Sequence, residues 1–137
     1  MPFAGTRQLP DESIIVTTYE GAITAEDVNY GSSQVAELMA TIDGKVWAVV
    51  DLSTITTSFA DVMKIMADQS KGTEGTTTDP KLAAMVLVGS DQFVRLYTDA
   101  MRKRVQGVML PMYRSVEEGV DALRIMIDRE KSKQTGS

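Results

Sequence analysis

The run Lys45-Val46-Trp47-Ala48-Val49-Val50-Asp51 decides the fold. It is apolar without interruption from Val46 to Val50, which suits a strand covered on both faces, as in parallel sheets flanked by helices. Asp43-Gly44 breaks the chain just before it. Upstream, Ile14-Ile15-Val16-Thr17-Thr18-Tyr19-Glu20 is β-branched and aromatic and lies between Asp11-Glu12 and Gly21, so it reads as a second strand. Thr6 to Leu9 offer a short partner strand. Between the two main strands Thr24 can cap a helix, with Asp27 near the positive end of its dipole. Val28, Gly31, Val35, Leu38, Met39 and Ile42 then share one helical face.

The same alternation continues downstream. Phe59, Val62, Met63 and Met66 give an amphipathic helix over 59–70, and Lys71 to Pro80 is a polar loop. Leu82 to Val88 is short and apolar, a third buried strand. Gly89-Ser90-Asp91 turns the chain into a helix whose inner face carries Phe93, Leu96, Tyr97, Ala100 and Met101. Val108 to Tyr113 is a further strand, and Pro111, which cannot donate to a ladder, assigns it to an edge or an early end. Ser115 caps the last helix, with Glu117 and Glu118 in its first turn and Val116, Val120, Leu123 and Ile127 as its stripe. The expectation is one α/β domain over 1–130 and a polar, disordered tail over 131–137. Strands alternating with helices predict right-handed crossovers and a mostly parallel sheet of four to five strands with about four helices.

At 137 residues there is room for one core. The chain holds no His and no Cys, which excludes imidazole general bases, Ser-His-Asp and Cys-His arrangements, thiol redox work and thiolate or imidazole zinc sites. Carboxylate, hydroxyl and Lys/Arg chemistry remain, and no cofactor or metal is expected. With 14 basic and 19 acidic residues the net charge is −5, which disfavours coating a nucleic-acid backbone. Met1 to Pro10 does not read as a secretory signal, no stretch approaches the roughly 20 apolar residues of a membrane span, and cytoplasm is the expected compartment.

Several side chains invite a functional reading. Asp51 ends an apolar strand, where open α/β sheets place ligand and phosphoryl chemistry. A receiver domain would also need an acidic pair after the first strand and a Lys after a later one, whereas this chain has Glu20 and Arg114. The favoured role for Asp51 is therefore to bond the backbone that follows. Ser53 and Ser58, in a segment rich in hydroxyls, are candidate phosphoacceptors together with Asp51, and equally good turn formers and caps. Arg95, Arg102, Lys103 and Arg104 form a basic cluster that reads first as a solvated helix end. The paired carboxylates Glu26-Asp27, Glu117-Glu118 and Asp128/Glu130 fall at helix starts and ends and do not suggest a shared catalytic water.

Three stretches carry a family resemblance: Val49-Val50-Asp51-Leu52-Ser53 after a strand, Gly21-Ala22-Ile23-Thr24-Ala25-Glu26-Asp27 leading into the first helix, and Tyr113-Arg114-Ser115-Val116-Glu117-Glu118 leading into the last. Over about residues 12 to 127 their order and spacing resemble the STAS superfamily, in its bacterial group similar to the sporulation anti-sigma factor antagonist (SpoIIAA-like). The resemblance implies an α/β sheet with helices packed chiefly on one face. It also implies a non-catalytic cytoplasmic regulatory module that binds a protein partner. Phospho-regulated members carry Asp-Ser-Gly at the helix start where this chain has Ser58-Phe59-Ala60-Asp61-Val62, so the resemblance does not bring the phospho-switch with it. Ala122-Leu123 stand where diverged members often have Trp-Leu. Diverged members are thought to bind apolar or lipid-like molecules. By that likeness a ligand groove would lie near Phe59, Met63, Met66, Phe93, Tyr97 and Met101, making a small-ligand carrier the alternative and a phosphoacceptor regulator a further one. Self-association as a homodimer stays open.

Overall fold

A computed structural model describes residues 3–69, 80–103 and 111–135. In chain order they form β1 (Phe3–Gln8), β2 (Ile14–Gly21), α1 (Ala25–Met39), β3 (Val46–Ile55), α2 (Phe59–Gln69), β4 (Leu82–Val88), α3 (Asp91–Lys103), β5 (Met112–Tyr113) and α4 (Val116–Thr135). The expected α/β architecture is present, including the extra strand in front.

The strands make one sheet in the order β1-β2-β3-β4-β5. β1 runs antiparallel to β2, and every later pair is parallel. From β2 to β5 the order advances in a single direction, so right-handed crossovers put all three connecting helices on the same face. The packing agrees. Val35 and Met39 of α1 join Ile15 and Val46, while Val62 of α2 and Phe93 of α3 join Tyr19, Ile23 and Leu52. Alternate residues of the same strands, Ile14, Val16, Trp47, Val49, Val86 and Val88, pack instead with Val120 and Leu123 of α4. Three helices therefore cover one face and α4 the other. Strands buried from both sides have no solvent face to make polar, which explains the unbroken apolar runs.

The caps do what the sequence suggests. Asp27 N–H donates to Thr24 Oγ1 while the Asp27 carboxylate accepts from Thr24 N–H at 2.9 Å, a reciprocal capping box at the start of α1. Ser90 Oγ and Ser115 Oγ accept from the N–H groups of Phe93 and Glu118 at the starts of α3 and α4. β5 is an edge strand of two residues, and Pro111 still serves the ladder through its carbonyl, which accepts from Leu87 N–H.

Four expectations change. β3 does not stop at Asp51: Thr54 and Ile55 continue to pair with Glu20 and Gly21 of β2, as β-branched residues can on a pleated surface. Leu96 is 42% exposed, because the inner stripe of α3 runs through Phe93 and Tyr97 and leaves it at the margin. Residues 131–135 are the last turn of α4 rather than a disordered tail; Lys131 and Lys133 are good helix formers whose charge suits the negative dipole end. Ile42 is buried beyond the end of α1 rather than on it. Residues 70–79, 104–110 and 136–137 lie outside the described residues, and with them most of the expected polar loop and the start of the Val108–Tyr113 strand.

Gly31 marks the tightest approach between α1 and the sheet. A Cβ there would overlap the Tyr19 hydroxyl and stand 2.8 Å from Tyr19 Cζ, and Tyr19 is 4% exposed. Gly31→Ala should therefore lose about 1–2 kcal/mol in urea denaturation, although alanine's helix propensity alone would add up to about 1 kcal/mol. Tyr19→Phe in the same chain should recover part of the loss; a Gly31→Ala protein as stable as the parent would disprove this packing.

Candidate functional site

At the carboxyl ends of the parallel strands the candidate residues are held by local bonds. Opposite Tyr19, β3 inserts an extra residue, a bulge between the Thr18–Asp51 and Glu20–Thr54 pairs. Such a bulge frees backbone groups from the ladder. Asp51 Oδ1 accepts from Ser53 N–H at 3.0 Å and from Ser53 Oγ–H at 2.7 Å, closing a local side-chain-to-backbone ring. Asp51 thus bonds the backbone that follows it, as favoured from sequence, but within a continuing strand. Ser58 Oγ accepts from Asp61 N–H and caps α2. Thr57 Oγ1 accepts from Ile23 N–H at 2.7 Å and donates to Ile23 O, which clips the loop after β2 to the loop after β3. The three phosphoacceptor candidates therefore share one end of the sheet, Asp51 and Ser53 bonded to each other and Ser58 at the next helix.

Tyr19 lies beneath this end. Burial pushes its phenol well above the usual tyrosine value, and the Asp27 charge pushes in the same direction. A phenol so disposed keeps its proton at neutral pH and does not act as a base.

The candidate groove between α2 and α3 is occupied by its own side chains where these are described. The Phe59 and Phe93 rings meet edge to face, with centroids 5.0 Å apart. Phe59 and Met63 pack against the buried cluster of Val62, Leu52 and Phe93, and Tyr97 is buried. The side chains of Met66 and Met101 lie outside the described residues. Of the basic cluster, Arg95 is exposed on α3, the side chains of Arg102 and Lys103 lie outside the described residues, and so does Arg104 entirely. Arg114, read as a departure from a receiver Lys, pairs with Asp91 at 3.0 Å on the surface.

A cleft opens at the other end of the sheet, on the face covered by α4. It encloses about 680 Å³ between the turn at Asp11–Ser13, the turn at Asp43–Lys45, Trp47 at the start of β3, and the second half of α4 from Arg124 to Lys131. Arg124 spans it. Its Nε–H and Nη2–H donate to the two Glu12 carboxylate oxygens at 2.8 and 3.0 Å, a bidentate ion pair between residues 112 apart in sequence. Sequence reading missed this site. Trp47 is its one local signal, a large indole in a run of Val and Ala, and no periodicity announces the pairing of Glu12 with Arg124.

In sequence the chain matches no family model and no curated protein. In structure it is similar to an uncharacterized protein of the DUF3478 family with a SpoIIAA-like fold from Shewanella loihica PV-4. The TM-score is 0.55 at 14% identity, over 88% of this chain and 93% of that one. This chain has a SpoIIAA-like fold. The strand order of this SpoIIAA-like sheet bears on the site. Open α/β sheets bind ligands in the crevice where the strand order reverses. From β2 to β5 the order never reverses, so Asp51 does not sit beside such a crevice.

Two outcomes follow from the bonds at either end. Asp51→Ala leaves the Ser53 N–H without its acceptor and should lower stability by about 1–2 kcal/mol, whereas Asp51→Asn, which keeps an acceptor oxygen, should lose less. Equal losses in thermal denaturation would show that the bond is immaterial. The Glu12 carboxyl is held below the ordinary glutamate value, chiefly by the Arg124 hydrogen bond, against a smaller opposing effect of burial and with further help from the Arg124 charge. Its contribution to stability is complete above the unfolded-state value and is lost as pH falls through the lowered one. A carboxyl-carbon NMR titration should show the Glu12 midpoint rising in Arg124→Gln; an unchanged midpoint would mean the ion pair is not formed in solution.

Proposed function

We propose that the chain is a non-catalytic, regulatory interaction module that binds a protein partner through the loops at the carboxyl ends of its strands. One observation carries this reading. The polar groups at that end are engaged with each other and with the backbone, while Ala22, Thr24, Thr54, Thr56 and Ser58 are exposed beside the acidic first turns of the helices, where Glu26, Asp61, Asp91, Glu117 and Glu118 reach solvent. Ser53 meets Asp51 within a local ring, and with no imidazole in the chain there is no relay to make a nucleophile of it. The strand order adds to this by offering no crevice for a substrate at Asp51. Short polar loops on a rigid sheet are a usual means of contact recognition. The SpoIIAA-like fold is consistent with such a role. Among the described residues no helix is long and apolar enough to cross a membrane.

The apolar-carrier alternative gains no support from Phe59 and Phe93, which fill the space between α2 and α3 themselves.

The test combines retention and turnover. Protein from the native host retained on the immobilised chain should be lost with Ala22→Arg/Thr56→Arg at unchanged melting temperature. A screen for hydrolase and transferase activity should find none. Turnover abolished by Asp51→Asn in a folded protein, or a partner indifferent to both arginines, would overturn the reading.

A further inference from the structure

The bonding between β2 and β3 does not stop where the strands do. Past the bulge, Glu20 and Gly21 pair with Thr54 and Ile55, and Thr56 N–H then donates to Gly21 O at 2.9 Å. One step further, Thr57 Oγ1 accepts from Ile23 N–H at 2.7 Å and its O–H donates to Ile23 O at 3.3 Å. A hydroxyl is both donor and acceptor, so this side chain offers Ile23 the two groups that a strand backbone would otherwise have offered. Thr54 Oγ1 adds a bond to Tyr19 O at 3.3 Å across the same pair of strands. The loops after β2 and β3 are therefore joined as far as the residue before each helix cap, Thr24 for α1 and Ser58 for α2.

Burial makes this hydroxyl matter. Ile23 is 5% exposed, and its side chain joins Tyr19, Leu52, Val62 and Phe93 in the cluster beneath both loops. A backbone N–H left unpaired in such surroundings is costly, and the Ile23 amide takes its acceptor from the other loop. Opening either loop breaks that bond and strips support from the neighbouring bond between Thr56 and Gly21. Local opening in proteins runs through contiguous cooperative units, and these bonds tie two loops into one.

We infer that the loops after β2 and β3 open and close as a single unit, with Thr57 as the positioning residue that couples them. The functional consequence rests on the interaction-module reading and deepens it. Ala22, Thr24, Thr56 and Ser58 then meet a partner as one preformed surface, and binding does not have to order two loops separately. A contact that displaces the loop after β2 releases the loop after β3 with it.

Amide hydrogen exchange on the free chain tests the coupling. Thr57→Val, close to isosteric but without the hydroxyl, is set against Thr57→Ser, which keeps it. In Thr57→Val the Ile23 and Thr56 amides, one in each loop, should exchange about 10- to 100-fold faster and by a similar factor, as loss of a buried bond predicts. Val49, fully buried in β3, should be accelerated less, because it lies outside the local opening. Thr57→Ser should exchange like the parent. Faster exchange at Ile23 with Thr56 unchanged would make the hydroxyl a local cap and overturn the coupling. No change at either amide, or an equal gain at Ile23, Thr56 and Val49, would overturn it as well. In the parent itself the two amides should share one opening constant and one urea dependence, and unequal values would overturn the inference whatever the variants do. On the binding side, the host protein that the parent retains and Ala22→Arg/Thr56→Arg loses should be retained less by Thr57→Val and fully by Thr57→Ser. Undiminished retention by Thr57→Val would overturn the positioning role. A parent chain that retains no such protein would end the module reading, while amide exchange decides the coupling on its own.

Discussion

Burial of β2 and β3 from both sides is the constraint on which the other elements depend. Ile14, Ile15, Val46 and Val49 are fully buried, and each contributes on the order of 1.5–3 kcal/mol by leaving water. A strand so placed also takes its backbone N–H and C=O groups out of water, and these need partners on both edges. β1 closes the outer edge of β2 as an antiparallel strand, and β4 closes the far edge of β3. The two faces then need covering, and the one-way strand order assigns α1, α2 and α3 to the first of them.

The second face falls to α4, and its close approach follows. Gly119 lets the helix backbone settle on the sheet, since a Cβ there would meet Val86 at 3.3 Å and Val49 at 3.7 Å. Leu123, one turn on, is fully buried against the same strands. After Leu123 the helix runs past the amino ends of β2 and β3, and Arg124 reaches the turn at Glu12. The cleft is thus a by-product of how the core is closed: a helix longer than the sheet beneath it leaves a space beside the strand ends.

The fold was legible from sequence because its signals are local and repeated. The apolar runs at Ile14–Tyr19, Val46–Val50 and Leu82–Val88, the breaks at Asp43-Gly44 and Gly89, and the caps at Thr24, Ser90 and Ser115 all act within a few residues. Where the reading failed, competing effects were at work. Hydroxyls after Asp51 suggested a loop, but pairing with β2 outweighed turn propensity as far as Ile55. The polar residues 131–135 suggested disorder, but they extend a helix already anchored by Leu123. The candidate sites were less legible. Asp51, Ser53 and Ser58 could be placed near one another by topology, while the reach of Glu12 to Arg124 and the opening beside Trp47 arise from tertiary packing that no sequence interval encodes.

The two ends of the sheet differ in a way that follows from strand direction. At the carboxyl ends, loops lead into the N-termini of α2, α3 and α4, where free N–H groups demand acceptors, and Ser58, Ser90 and Ser115 meet that demand. Hydroxyls there are largely used up by capping, and acidic side chains gather in the same first turns, Glu26, Asp61, Asp91, Glu117 and Glu118, where they meet the positive dipole ends. At the amino ends the chain arrives from helix C-termini and turns and has fewer backbone donors to satisfy. Charged side chains line the cleft beside Trp47, where Glu12 and Arg124 pair with each other. The two ends therefore differ in what holds them: hydroxyl caps under helix N-termini at one, and at the other a turn tied to α4 by the Glu12–Arg124 pair, with the buried sheet between them.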